Sequence, residues 1–154
     1  MRIHTLLTFL LLTLLSITSL SAEKLTKSSI KNMISNMDKA ASKRDVVSIS
    51  RYMHPNAVIK MHVTISGKEQ EMQINKQQYI QLLTQGLQAA TTYEHETSNV
   101  KIRISNKKAF VSMEITETVG INGRTQVGES QENMTIELIN GHLMVTEISA
   151  YTTL

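Results

Sequence analysis

Three glutamates, Glu117, Glu132 and Glu147, have the residue type and the positions that best fit acid–base chemistry. Two of them follow runs of alternating apolar residues, where a predicted strand changes from an apolar to an acidic face. Carboxylates gathered on a partly buried face repel, and the pKa of one should rise enough for proton transfer. The simpler alternative is that each strand runs into solvent beyond the core. One-sided alternation predicts polar strand ends anyway, so it favours this alternative.

A hairpin turn predicts which residues share that face. Asn140-Gly141 is the strongest hairpin signal in the chain, because both residues tolerate positive φ. Counting from this turn pairs Met134 with Glu147 and Glu132 with Ser149. The apolar side chains on the same face predict a ligand surface, unless a bulge shifts the pairing. The predicted ligand contacts are Tyr52, Met113, Met134 and Tyr151.

Histidine and aspartate give weaker signals. His62 lies on the polar side of its predicted strand, and His95 stands between two glutamates. No His-x-His or His-x-x-x-His spacing occurs, so no metal site is predicted, and no cofactor is expected. The chain has only two aspartates, Asp38 and Asp45, and both fall on predicted helices.

Composition excludes several classes of protein. The 154 residues include no Cys and one Pro, with a net charge of +3. Without Cys there is no disulfide, thiolate zinc site or thiol nucleophile. The basic residues are dispersed and aromatic residues are few, so no nucleic-acid partner is expected.

The first 22 residues predict an export signal. Arg2 gives a basic start, residues 6–20 are largely apolar, and Ser21-Ala22 supplies a small-residue cleavage site. An uncleaved anchor is the alternative, although the apolar run barely reaches the length of a membrane-spanning helix. We expect a signal peptide at 1–22 and one domain at 23–154. The mature protein is then expected in the periplasm or secreted, with no membrane attachment.

Periodicity predicts helices first and a long meander of strands afterwards. A helix is predicted over 28–41, Asp45 caps a short second helix, and Asn75 with Gln78 begins a third. The predicted strands are 58–65, 70–74, 93–105, 109–119, 125–139 and 142–152. This order predicts an α+β fold with helices on one face of an antiparallel or mixed sheet.

Two segments carry a family resemblance. Arg44-Asp45 is followed by a short helix and by Tyr52-Met53-His54-Pro55-Asn56-Ala57-Val58, and Asn140-Gly141 opens the last hairpin. This order resembles the nuclear transport factor 2-like superfamily, which includes SnoaL-like and ketosteroid isomerase-like proteins, over nearly all of residues 25–152. An aromatic residue usually follows the last turn in that family, and here Leu143 stands there.

The resemblance implies a cone-shaped curved sheet with about three helices on its concave face. It also implies an aspartate base in the strand region of the cavity. Because Asp38 and Asp45 fall on predicted helices, neither is expected to take that role.

The sheet face opposite the predicted ligand surface predicts an interface between copies of the chain. Met144, Thr146, Ile148 and Ala150 alternate outward in the predicted register, and exposed apolar patches usually mark contacts. Since superfamily members often dimerise through this sheet, we expect a homodimer.

Two functional hypotheses remain. The first is a non-enzymatic exported module that binds a small apolar ligand or docks another envelope protein. The alternative is a lyase-, isomerase- or cyclase-like enzyme with Glu117, Glu132 or Glu147 as its general base. Two of these carboxylates in a closed cavity near Tyr or His would favour the enzyme.

Overall fold

The computed structural model describes residues 23–65 and 67–153, so the predicted signal peptide lies outside the described residues. Within them, three helices and six strands follow one another in the predicted order. They are α1 (Lys27–Ser42), α2 (Val46–Arg51), β1 (Met53–Ile65), β2 (Lys68–Asn75), α3 (Lys76–Ala89), β3 (Thr92–Ser105), β4 (Lys108–Ile121), β5 (Arg124–Ile139) and β6 (His142–Thr153).

Side-chain caps fix where the helices begin. The Asp45 carboxylate accepts the Ser48 backbone N–H at 3.0 Å and starts α2. Asn75 and Gln78 form the predicted reciprocal capping box at the start of α3, with bonds of 2.9 and 3.0 Å. These contacts satisfy backbone donors that have no partner within the helix, so the predicted starts of α2 and α3 are confirmed.

The six strands form one sheet in the order β2-β1-β6-β5-β4-β3. Only β1 and β6 run parallel; the other neighbouring pairs are antiparallel. Helix α1 packs on β3 and α3 on β1, so the apolar core lies between the helices and the inner sheet face. The predicted α+β fold with a mixed sheet is confirmed.

A β-bulge in β6 overturns half of the predicted hairpin register. Ile136 pairs with Val145 as predicted, but Thr135 pairs with Glu147, which leaves Thr146 without a pairing partner. The predicted pairs of Met134 with Glu147 and of Glu132 with Ser149 are therefore wrong. One extra residue in a strand moves every later side chain to the other face.

The bulge exchanges the inner and outer residues of the second half of β6. Ile148 faces the core and is only 3% exposed, so it does not belong to an outward apolar patch. Tyr151 points outward, where its ring stacks on His62 with centroids 4.4 Å apart. Glu147 also points outward and binds Lys60 Nζ at 2.7 Å. The outer face is therefore of mixed polarity, and the homodimer stays a prediction.

Candidate active site

A cavity of about 220 Å³ lies between the helices and the inner face of the sheet. Most of its wall is apolar, and it includes the predicted ligand contacts Met113 and Met134. The polar side chains gather in one set, contributed by α1, α3 and strands β3 to β5. They are Asp38, Tyr79, Tyr93, His95, Glu117, Ser130 and Glu132, and Thr152 of β6 is a further polar residue of the wall.

The His95 imidazole lies between two carboxylates. Its Nε2 is 3.5 Å from Asp38 Oδ1, and its Nδ1 is 3.7 Å from Glu117 Oε1. The ring is only 10% exposed, whereas the side chains of Asp38 and Glu117 are 34% and 45% exposed. His95 is therefore the more deeply buried member of this group.

Two hydroxyl groups hold the carboxylates in place. Thr97 donates a hydrogen bond to Asp38 Oδ1 at 2.8 Å. Tyr93 donates to Glu117 Oε1 at 2.5 Å, and its ring is stacked against that of His95. Each carboxylate that faces the imidazole is thus oriented by a second partner, as in sites that need a fixed histidine.

These contacts set the charge of His95. Burial of the ring alone would lower its pKa, but the carboxylates of Asp38 and Glu117 outweigh burial and raise the pKa of His95 to about 9. The contact with His95 in turn lowers the pKa of Glu117. At neutral pH the group is therefore an imidazolium between two carboxylates.

Glu132 has the opposite environment. Burial raises its pKa to about 7, and the charge of Glu117 adds to this effect. None of the described residues forms a hydrogen bond to the Glu132 carboxyl, which opens into the cavity. Burial also raises the pKa of the Tyr79 and Tyr93 phenols, so both stay protonated at neutral pH.

A second bulge places His95 opposite Glu117. Ser98 pairs with Glu114 and Lys101 with Ser112, so two residues of β3 oppose one of β4. Asn99, with a φ of 52°, lies in this bulge. On the N-terminal side of this bulge, the alternation of β3 directs Tyr93, His95 and Thr97 to the inner face of the sheet.

The structure brings together two of the three predicted glutamates. Glu117 and Glu132 line the cavity, but Glu147 lies on the outer face because of the bulge in β6. The same bulge removes Tyr151 from the cavity wall. Tyr52 packs against the core without lining the cavity.

Sequence reasoning missed Asp38 and His95 as cavity residues. Asp38 does lie on α1, yet it faces the cavity, so its helical position does not exclude it from a site. It follows Ile34 by four residues and precedes Ala41 by three, within the apolar stripe of the helix. A charged residue in such a stripe signals a buried partner.

The described residues contain no group of three His, Asp or Glu side chains arranged to hold a metal ion. In the part of the chain that the structure describes, no helix combines the length and apolarity needed to cross a membrane.

Solved structures with similar folds include enzymes and proteins without a stated activity. An NTF2-like protein from Cytophaga hutchinsonii ATCC 33406 is 18% identical, with 84% of this chain and 99% of that chain covered and a TM-score of 0.65. A scytalone dehydratase-like protein from Novosphingobium aromaticivorans DSM 12444 is 13% identical, with 81% and 82% covered and a TM-score of 0.65. LinA is 14% identical, with 82% and 85% covered and a TM-score of 0.64.

No family model and no curated protein matches the sequence. The structural likenesses cover most of the chain, and at these identities they establish its architecture alone. The chain therefore has the nuclear transport factor 2-like fold that the sequence resemblance predicted.

Proposed function

We propose that this protein is an enzyme that catalyses proton transfer on a small, mostly apolar molecule, as an isomerase or a lyase. The observation that carries the proposal is one cavity that holds Glu132 and His95 in contrasting environments. Both pKa values are raised, that of Glu132 to about 7 and that of His95 to about 9, so at neutral pH a partly ionised carboxylate and a protonated imidazole line the same cavity as candidate base and acid. The alternative hypothesis from the sequence is thus the one that the geometry supports best.

Glu132 is the proposed general base. Its carboxyl opens into the cavity and accepts no hydrogen bond from the residues that the structure describes, so a substrate meets no competing partner. With a pKa of about 7, a large fraction is ionised at neutral pH while its basicity stays high. An exposed glutamate with an ordinary pKa would be a far weaker base.

His95 is the proposed general acid. It is protonated at neutral pH, and its nitrogens lie 3.5 and 3.7 Å from the neighbouring carboxylates. Strong charge-assisted hydrogen bonds are shorter, at about 2.7–2.9 Å. Each ring nitrogen also has a hydroxyl oxygen at 3.3 Å, that of Tyr93 at Nδ1 and that of Thr97 at Nε2. A substrate oxygen would replace one of these long contacts rather than break a tight ion pair.

These roles define one chemical step. The Glu132 carboxylate takes a proton from a carbon next to a carbonyl, and the electron pair moves to the carbonyl oxygen, where the His95 cation donates a hydrogen bond or its proton. Return of the proton to another carbon completes an isomerisation. Departure of a β-hydroxyl group as water, protonated by His95, completes a dehydration. The fold shared with a scytalone dehydratase-like protein supports the second outcome.

Deuterium exchange tests the proposal without knowledge of the natural substrate. Small cyclic ketones and β-hydroxy ketones are first screened for binding by proton NMR. Those that bind are then incubated with the protein in deuterium oxide. We expect exchange at the α carbon with the wild type and with Glu129→Gln, an exposed carboxylate on the outer side of β5. Glu132→Gln should lose about 100-fold or more, the size of a general-base contribution.

Equal exchange by wild type and Glu132→Gln, with ligands that demonstrably bind, would refute the proposed base. Binding without any exchange would instead support the non-enzymatic ligand-binding hypothesis, for which the methionine-rich wall is the favouring observation.

We also propose that the protein is exported and cleaved after Ala22, and the contacts of Glu23 are compatible with that cleavage. Its backbone N–H donates to the Gly141 carbonyl at 3.0 Å, and its carboxylate accepts the Leu143 N–H at 2.6 Å. Cleavage after Ala22 would make Glu23 the first residue and leave both contacts intact. Mass spectrometry of protein from the exported fraction should find a chain that begins at Glu23. An intact Met1 terminus in that fraction would contradict cleavage.

A further inference from the structure

The charges around the cavity define which molecules can enter it, and this inference rests on the site proposed above. The titratable groups that face it are Asp38 from α1, Tyr79 from α3, Tyr93 and His95 from β3, Glu117 from β4, and Glu132 from β5. No lysine or arginine lines the cavity among the described residues. Three carboxylates therefore face a single cation.

Arg44 is the basic residue whose positive charge acts on the pKa of Tyr93, but its hydrogen bonds are to backbone carbonyls outside the cavity. Its guanidinium donates to the backbone carbonyls of Ala90 at 2.8 Å and Thr91 at 3.3 Å. These bonds fasten the start of β3 to the turn after α1. Arg44 is absent from the cavity wall, so it does not supply an anchor for an anion inside it.

An anionic ligand would meet net repulsion. The positive charge of His95 is already matched by Asp38 and Glu117, and Glu132 adds negative charge as it ionises. A carboxylate or phosphate group would lose part of its hydration and face like charges in a partly buried site. Such a group would gain no free cationic partner in return.

A ligand with a donor group meets the opposite situation. The Glu132 carboxyl opens into the cavity and is bonded by no described residue, so an N–H or O–H group of a ligand can donate to it without displacing a protein partner. The surrounding wall is rich in methionine and includes two tyrosine rings, which are polarisable groups suited to organic cations. A cavity of about 220 Å³ exceeds the roughly 150 Å³ that holds benzene.

We propose that the cavity favours compact apolar molecules that carry a hydrogen-bond donor and no negative charge, as amines, alcohols and hydroxy ketones do, and that it excludes carboxylates and phosphates. The donor group lies on Glu132, and the hydrocarbon part lies against the methionines. Selection by charge, rather than by a shaped polar pocket, follows from the unequal number of carboxylates and cations in the wall.

Three probes with the same phenylethyl body test this selection: 2-phenylethylammonium, 2-phenylethanol and 3-phenylpropionate. Calorimetric or NMR titration of the purified protein at pH 8 gives the three dissociation constants. We expect the ammonium and the alcohol to bind at least about tenfold more tightly than the carboxylate, with the ammonium tightest, because a single unfavourable charge contact in a partly buried site is worth that much.

Two variants locate the effect. Glu132→Gln keeps an acceptor and removes the charge, so the ammonium should bind about tenfold more weakly, while binding of the alcohol should change by less than about threefold. Glu129→Gln, on the outer side of the same strand, should leave all three constants unchanged. Circular dichroism melts of both variants show that a lost affinity is not a loss of folding.

Carboxylate binding within about threefold of the alcohol would overturn the proposal, as would the absence of binding by all three probes. Equal effects of the two variants on the ammonium would also overturn it. The outcome is separable from that of the proposed function, because binding is measured without turnover. Charge-selective binding without exchange chemistry refutes only the enzyme, whereas exchange by a cavity that accepts carboxylates equally refutes only the selection.

Discussion

Replacing Glu132 with glutamine should stabilise the protein at pH 8 and leave its stability at pH 4 unchanged. The pKa of this carboxyl rises from 4.5 to about 7, first because it is buried and second because Glu117 is negatively charged. A rise of this size makes the ionised form less favourable in the folded state by about 3 kcal/mol. Glutamine has nearly the same shape and no charge, so it removes this penalty.

The pH dependence has a defined sign. Below pH 4.5 the carboxyl is protonated in both the folded and the unfolded state, and the variant gains nothing. Between pH 4.5 and about 7 the unfolded chain releases the proton while the folded protein keeps it, so the free energy of unfolding of the wild type falls as the pH rises. Above this window the difference between variant and wild type should stay constant.

Urea and thermal melts from pH 4 to pH 9 measure the difference. For a domain of this size, about 3 kcal/mol corresponds to a rise of roughly 10 °C in Tm. Glu129→Gln is the matched control, because it removes an exposed carboxylate from the outer side of the same strand. A difference that does not vary with pH, or a variant less stable than the wild type at pH 8, would refute the buried environment assigned to Glu132.

Three further predictions concern other parts of the structure. His95→Gln should destabilise the protein below pH 6.5, and this loss of stability should disappear as the pH rises through about 9. The reason is that the His95 ring stabilises the fold through the two carboxylates only while it is charged. Melts that show the same loss of stability at every pH would contradict this. Glu147→Gln removes an exposed pair with Lys60, so the Tm should hardly change and probe binding should be unaffected. A loss of binding would place Glu147 in the site. Ile148→Ala should lower the free energy of unfolding in urea by about 2–5 kcal/mol, because the side chain is buried in the core. A change below about 1 kcal/mol would indicate that Ile148 faces outward, as the predicted register had it.

Local sequence signals predicted the elements well because each acts over a few residues. The capping pair Asn75 and Gln78 marks the start of α3, and Asn140-Gly141 marks the last turn. The register of two strands far from their turn has no such local signal, since it depends on whether both strands continue without an inserted residue. The insertions here are at Thr146 in β6 and around Asn99 in β3. Neither includes a glycine, the usual sequence sign of an irregular strand, so the faces of Glu147 and Tyr151 could not be predicted.

The candidate site was only half predictable for a related reason. Glu117 and Glu132 follow from alternation along single strands, which the sequence displays directly. The contact between Asp38 and His95 joins a helix to a strand far along the chain, and its geometry depends on how α1 packs on β3. Periodicity identifies the buried face of each element, but not which residue of one element meets which residue of another.

The position of β6 has a consequence for how this chain folds. Among the described strands β6 is synthesised after the other five, yet it lies between β1 and β5 and alone joins the β1–β2 hairpin to the β3–β5 meander. Without it the described strands form two separate ribbons, and each of these has an extra unpaired edge where β6 would lie. The two halves can join only after nearly the whole domain has been synthesised, and pairings so distant in sequence slow folding. Late closure of the sheet is compatible with the export proposed above.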